Sequence, residues 1–231
     1  MKRYITIILI IISMLWIQCS KSSSTEPKEQ PPDVSQILPE IEFPSTEGAP
    51  LEAQIWIIQF NVFSQIANLY WQQLYQTDAR FENGKWTWSY NYNGITITFT
   101  AEKTDTAWVW SMTFNGTYTD PETGESFTYN NWKAFEGSTN LDGKSGSLKY
   151  YMENSTQLFL TFDWHIDASN VYYATLISYD ETGAFYSKME LVLNQDGSGE
   201  IKGYEYVNNN WTLTITITWD NAGNWTVTSN G

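Results

Sequence analysis

The chain has 231 residues, enough for one domain with a sizeable apolar core. It carries 26 Asp+Glu against 12 Lys+Arg, a net charge of −14, which argues against nucleic acid as a partner because phosphate binding rests on basic patches. Its one cysteine, Cys19, leaves no partner for an intrachain disulfide, a multi-cysteine zinc site or a CxxC redox pair.

Residues 1–18 have the build of a secretion signal. Lys2 and Arg3 form a positive start, and Tyr4 to Ile17 is an apolar run broken only by Thr6 and Ser13. That run is too short for a comfortable membrane-spanning helix, which needs about 20 residues. Cys19 follows almost at once. With Leu15 four residues before it, and Trp16 and Gln18 nearer, this segment resembles the lipid-acceptor region of bacterial lipoproteins. The resemblance implies cleavage before Cys19, acylation of that cysteine, and a lipid-anchored life in the cell envelope, at the outer membrane. Loss of Lys2 and Arg3 leaves 10 basic against 26 acidic residues, a net charge of −16, which disfavours electrostatic docking on anionic lipid.

Residues 19–49 read as a tether. Ser20 to Pro32 is small, polar and Pro-containing, and Pro39, Pro44 and Pro50 continue the irregular composition. A single domain over residues 50–231 follows. It opens with a helix predicted over residues 51–76, which contains no Gly or Pro. Ile55, Ile58, Val62, Ile66 and Leu69 recur at helical spacing and are expected to face the core. A second stripe of Trp56, Phe60, Phe63, Ala67, Tyr70 and Leu74 widens the apolar face. Asn61, Gln65, Asn68, Gln72 and Gln76 fill the rest, with no charge between Glu52 and Asp78. Neutral amides in place of Lys and Glu suggest a covered helix or one facing a wet cavity.

From Lys85 onward the pattern alternates with period 2, the mark of antiparallel strands buried on one side. The apolar faces read Trp86, Trp88, Tyr90, Tyr92; Ile95, Ile97, Phe99; Trp108, Trp110, Met112, Phe114; Leu158, Leu160, Phe162, Trp164, Ile166; Phe185, Met189, Leu191, Leu193; and Trp211, Leu213, Ile215, Ile217, Trp219. Turns are expected at Asn83-Gly84, Asn93-Gly94, Asn115-Gly116, Pro121–Gly124, Asp142-Gly143 and Asp196-Gly197. Tyr179–Gly183 and Trp219–Gly223 share an aromatic-Asp-x-x-Gly turn that resembles those of secreted β-repeat proteins. The fold class is therefore mainly β: an antiparallel up-and-down meander of about ten strands, curled into a barrel or half-barrel, with one long N-terminal amphipathic helix packed on it.

Candidate chemistry is sparse. The only histidine, His165, would share a strand face with Asp163 and Asp167 at about 6–7 Å spacing. That trio is a candidate metal or acid–base site, weighed against the plain solvated side of an amphipathic strand. Asn194–Glu200 has part of a calcium loop but reads better as a Gly-rich hairpin. No phosphate-binding loop, Gly-x-Ser-x-Gly elbow or HExxH segment occurs, and no cofactor is implied. The aromatic content is high: twelve Trp, eleven of them beyond Cys19. Such rings build a core or line a binding surface. The expected function is non-enzymatic, an envelope lipoprotein binding or carrying an apolar or amphipathic ligand by architectural analogy with lipocalins and curved-sheet lipoprotein carriers. The alternatives are a surface module that binds glycan or protein through exposed aromatics, and a membrane-embedded β-barrel.

Overall fold

The computed structural model describes Pro32, Phe43, residues 46–74 and residues 79–230, with helix side chains described as far as Val62. Cys19 and residues 1–18, read above as a secretion signal, lie outside the described residues. The fold is mainly β. Helix α1 (Leu51–Leu74) precedes twelve strands: β1 (Arg80–Glu82), β2 (Lys85–Tyr92), β3 (Ile95–Lys103), β4 (Ala107–Thr119), β5 (Ser126–Asn140), β6 (Ser145–Tyr151), β7 (Leu158–Ile166), β8 (Tyr172–Tyr179), β9 (Phe185–Leu193), β10 (Gly199–Val207), β11 (Asn210–Trp219) and β12 (Trp225–Ser229). They form one antiparallel sheet in sequence order from β1 to β12. The two end strands do not pair with each other among the described residues, so the sheet is open and the closed-barrel alternative is corrected. No described helix is long and apolar enough to cross a membrane.

The hairpins follow from turn chemistry. Asn83-Gly84 and Asn93-Gly94 both take positive φ, as does Asn208-Asn209 between β10 and β11. Two consecutive left-handed residues match the right-handed twist of flanking strands. A second turn recurs three times. The Oδ1 of Asp167 accepts the N–H groups of Ser169 and Val171 at 2.8 and 3.0 Å. Asp180 does the same with Thr182 and Ala184, and Asp220 with Ala222 and Asn224. In each, the residue three after the Asp has positive φ: Asn170, Gly183 and Gly223. The shared Tyr179–Gly183 and Trp219–Gly223 motif is therefore a turn solution with a carboxylate at its centre. Asn115-Gly116 is not a turn. β4 runs straight through it as an irregularity in the ladder, with Gly116 at φ 124° and the Asn115 Oδ1 accepting the Asn131 N–H. The physical reason is that an Asn-Gly pair suits a bulge as readily as a hairpin.

One face of the sheet is apolar throughout its middle. Trp88, Phe99, Trp110, Met112, Phe135, Leu148, Leu160, Phe162, Leu191, Ile201 and Ile217 are all buried there. The other face is rich in hydroxyls that meet across strands, such as Thr100 with Ser111 at 3.1 Å and Thr117 with Thr128 at 3.0 Å. The apolar side is the inner face of the sheet and the hydroxyl-rich side its outer face.

The helix docks on the inner face with a side the alternation of stripes does not single out. Ala53, Ile57 and Phe60 are buried, and Trp56 packs against the core. Ile55, Ile58 and Val62, expected to face the sheet, are exposed, Ile58 by 58%. The remaining stripe residues, Phe63, Ile66, Ala67, Leu69, Tyr70 and Leu74, and the amides Gln65, Asn68, Gln72 and Gln76, lie outside the described side chains. The reason for the inversion is steric. The Phe60 ring meets Phe162 edge-on at 5.4 Å. Trp56 lies over Gly203, where a Cβ would collide with the indole and with Ile215. Phe43, in the stretch expected as tether, packs at 5.5 Å on Phe60 and 6.5 Å from Trp219.

Candidate functional site

Two of the sheet's β-bulges decide what the outer face presents around β8 to β11. On β9, Ser187 pairs with Ser178 and Phe185 with Tyr179, so Tyr186 is an extra residue. On β11, Ile215 pairs with Gly203 and Leu213 with Tyr204, so Thr214 is extra. Thr214 Oγ1 donates to the Gly203 carbonyl at 3.1 Å and so satisfies that carbonyl beside the irregularity. One inserted residue transfers everything beyond it to the opposite face. Phe185 and Trp211 would share the inner face with Met189 and Ile217 in an unbroken alternation. Instead they reach the outer face and meet there.

The result is an aromatic patch at the Phe185 end of β9. Phe185 lies 5.4 Å from Tyr179, 5.2 Å from Tyr206 and 5.5 Å from Trp211, and Tyr206 lies 5.0 Å from Trp211. The neighbouring Tyr186 is 67% exposed and Phe185 is 42% exposed. Polar groups flank the rings. Lys188 Nζ sits 4.1 Å from the Tyr204 ring centre and 5.5 Å from that of Trp211. It also pairs with Glu190 at 2.6 Å, and the Tyr204 hydroxyl donates to the same carboxylate at 2.8 Å. Partial burial raises the Glu190 pKa, but the hydrogen bonds from Lys188 and Tyr204 and the charges of Lys188 and Lys202 outweigh it, and the net shift is downward. Tyr204 is pushed up to about 12, first by burial and then by its bond to the Glu190 carboxylate. Flat rings beside a fixed carboxylate and an ammonium can stack on a sugar ring and exchange hydrogen bonds with its hydroxyls.

A second outer-face feature is an open groove of about 310 Å³ over β2 to β6. Four of its five charged side chains pair with one another, Lys85 with Glu102 at 3.6 Å and Lys133 with Glu136 at 2.7 Å, and the fifth is Lys149. The Tyr151 hydroxyl also donates to Glu136. The Lys133 hydrogen bond is the largest cause holding the Glu136 carboxyl below its ordinary range. These internal pairs occupy much of the polarity the groove would offer a ligand.

The histidine trio is spread over separate duties. His165 stacks on its cross-strand partner Tyr173 with centroids 4.7 Å apart. Asp167 organises the turn after β7. Asp163 reaches solvent on β7 with its pKa raised by burial, opposed by the charge of Lys149. No group of three His, Cys, Asp or Glu among the described residues is placed to hold a metal ion. The residues that sequence reasoning missed as outer-face groups are Phe185 and Trp211, and Leu213, opposite Tyr204, changes sides with Trp211. Their places in the alternation give no sign of the bulges, which show only in the register of the facing strands.

Compared with protein-family models and with curated proteins, the chain matches none.

Proposed function

We propose that this chain is a bacterial envelope lipoprotein, tethered through Cys19, whose β domain is a non-enzymatic module that binds glycan. The observation that carries the reading is the pair of bulges that brings Phe185 and Trp211 out beside Tyr179 and Tyr206. Aromatic rings buried on the inner face need only apolar packing. Rings moved to the outer face at the cost of two ladder irregularities gain by contact with something outside the sheet. Lys188, Glu190 and Tyr204 supply directional hydrogen bonds beside them. The test is titration of neutral glucan and N-acetylglucosamine oligosaccharides against the full chain, read by Trp fluorescence. Trp211→Ala is expected to weaken binding by about thirtyfold, the weight of a central aromatic anchor. Equal binding by wild type and Trp211→Ala, or no binding to any probe, removes the reading. Membrane fractionation of Cys19→Ala tests the tether separately, with release from membranes expected.

A second reading keeps the carriage of an amphipathic ligand on the inner face. It is favoured by buried polar atoms that have no hydrogen-bond partner among the described residues: Trp110 Nε1, Trp164 Nε1, Trp225 Nε1 and the Tyr172 hydroxyl. It includes a half-barrel curl of the sheet around α1, supported by the reach of the helix to β7 through Phe60 and to β10 through Trp56, and by its contact with β2. Native mass spectrometry of the purified chain tests it, with a retained small molecule expected.

A further inference from the structure

Among the described residues the sheet has two strands, β1 and β12, with one unpaired side each, and these edges differ in chemistry. β1 is three residues long and carries Arg80 and Glu82. A short, charged edge resists the addition of another strand. β12 carries no such protection. From Asn221 to Asn230 there is no charged residue and no proline, and β12 pairs with β11 in unbroken register. Among the described residues nothing pairs with its far side.

Backbone geometry shows which groups are left open. The Asn230 N–H donates to the Thr214 carbonyl, and the Asp220 N–H to the Asn224 carbonyl. In an antiparallel ladder such bonds recur at every second residue. Even-numbered residues of β12 therefore bond to β11. The N–H and C=O groups of Trp225, Val227 and Ser229 point to the open side.

The segment Asn224-Trp225-Thr226-Val227-Thr228-Ser229-Asn230 is nearly palindromic about Val227. We infer that β12 is a dimerisation edge, at which two copies of this chain pair antiparallel about a two-fold axis through Val227. That register sets Val227 opposite its own copy, Thr226 opposite Thr228, and Asn224 opposite Asn230. The open groups of residues 225, 227 and 229 then face one another as hydrogen-bonded pairs. Thr226 and Thr228 are exposed on the outer face, and their apposition repeats the cross-strand hydroxyl pairs already present, such as Thr117 with Thr128. Val227 and Trp225 continue the inner face across the axis, where both pack against the core of their own chain. Charge opposes a second copy least at this strip. Two chains with 26 acidic residues against 12 basic repel over most surfaces, but not along a neutral edge. The pairing is isologous and uses up the edge, so growth stops at two.

The test is the mass of the full chain in non-ionic detergent under reducing conditions, by sedimentation equilibrium over a range of concentrations. Amide exchange at β12 is followed alongside. Two chains per particle are expected, dissociating on dilution. Protection of the Val227 and Ser229 amides should rise with concentration, while that of Thr226 and Thr228 stays constant. Val227→Pro removes one open N–H, and T226E/T228E sets carboxylates face to face across the axis at exposed positions that leave the core untouched. Both variants are expected to be single chains where the wild type is paired. A wild type that stays single into the tens of micromolar, pairing retained in T226E/T228E, or open-ended growth overturns the inference.

Discussion

The indole of Trp56 on α1 occupies the space over Gly203 on β10 that any side chain there would take. That fit selects which side of an almost all-apolar helix turn meets the sheet, and it leaves Ile55, Ile58 and Val62 outside. Gly203 also carries the carbonyl to which Thr214 donates beside the bulge in β11. One small residue thus links helix docking with the irregularity that turns Trp211 outward.

Gly203→Val is expected to destabilise the fold by about 1–3 kcal/mol through overpacking. Trp56→Ala should be destabilising alone, and in the double variant it should recover part of the Gly203→Val loss by vacating the space. Denaturant melts of the three variants form a double-mutant cycle. Additive effects would show that the two residues do not share that space.

Ile217 is fully buried on the inner face of β11, while Thr216 faces outward. Ile217→Asp should cost roughly 3–5 kcal/mol, the scale for an uncompensated buried charge. Thr216→Asp should stay within about 0.5–1 kcal/mol of wild type. Chemical denaturation reads both, and equal losses would remove the one-sided sheet.

The turn carboxylates make the acid limb of stability specific. Asp180 is held below its ordinary pKa of 3.8, first by the Thr182 hydroxyl and then by the Ala184 and Thr182 amides. Asp220 is lowered by Asn224 in the same way. A lowered folded-state pKa means the unfolded chain binds protons first as pH drops. Stability from these groups is complete above 3.8 and declines as pH falls through the lowered values. Asp180→Ala and Asp220→Ala should flatten the fall in melting temperature below pH 4, with the loss already present at pH 7.

At the alkaline end the sign is opposite. Tyr204, with a pKa of about 12 in the folded state, favours the folded state below pH 10, and that contribution is lost as pH rises toward 12. Glu190→Gln removes the carboxylate charge that helps to raise it. Ultraviolet titration of phenolate absorbance should then show one tyrosine ionising at lower pH than in wild type. An unchanged titration curve would separate Tyr204 from Glu190.

By itself the sequence determined the secondary structure class and most of its punctuation. Thr and apolar residues alternate along β2, β3 and β11, and Asn-Gly or Asp-x-x-Gly stands between them, because pleat period and left-handed turn residues are local requirements. The Asp180 and Asp220 turns were legible for the same reason: the carboxylate bonds its own next few amides. What only the tertiary structure decided depends on a partner strand or helix. The bulges at Tyr186 and Thr214 exist as a count of two residues against one on the facing strand, so no local pattern reveals that Phe185 and Trp211 change sides. The stripe of Ile55, Ile58 and Val62 was expected to face the core and lies outside it, because Ile55, Trp56, Ile58, Phe60 and Val62 cover most of a turn with apolar surface. Helical period then states that a face is buried without saying which, and the choice falls to the shape of the opposing sheet, where Gly203 leaves room for Trp56.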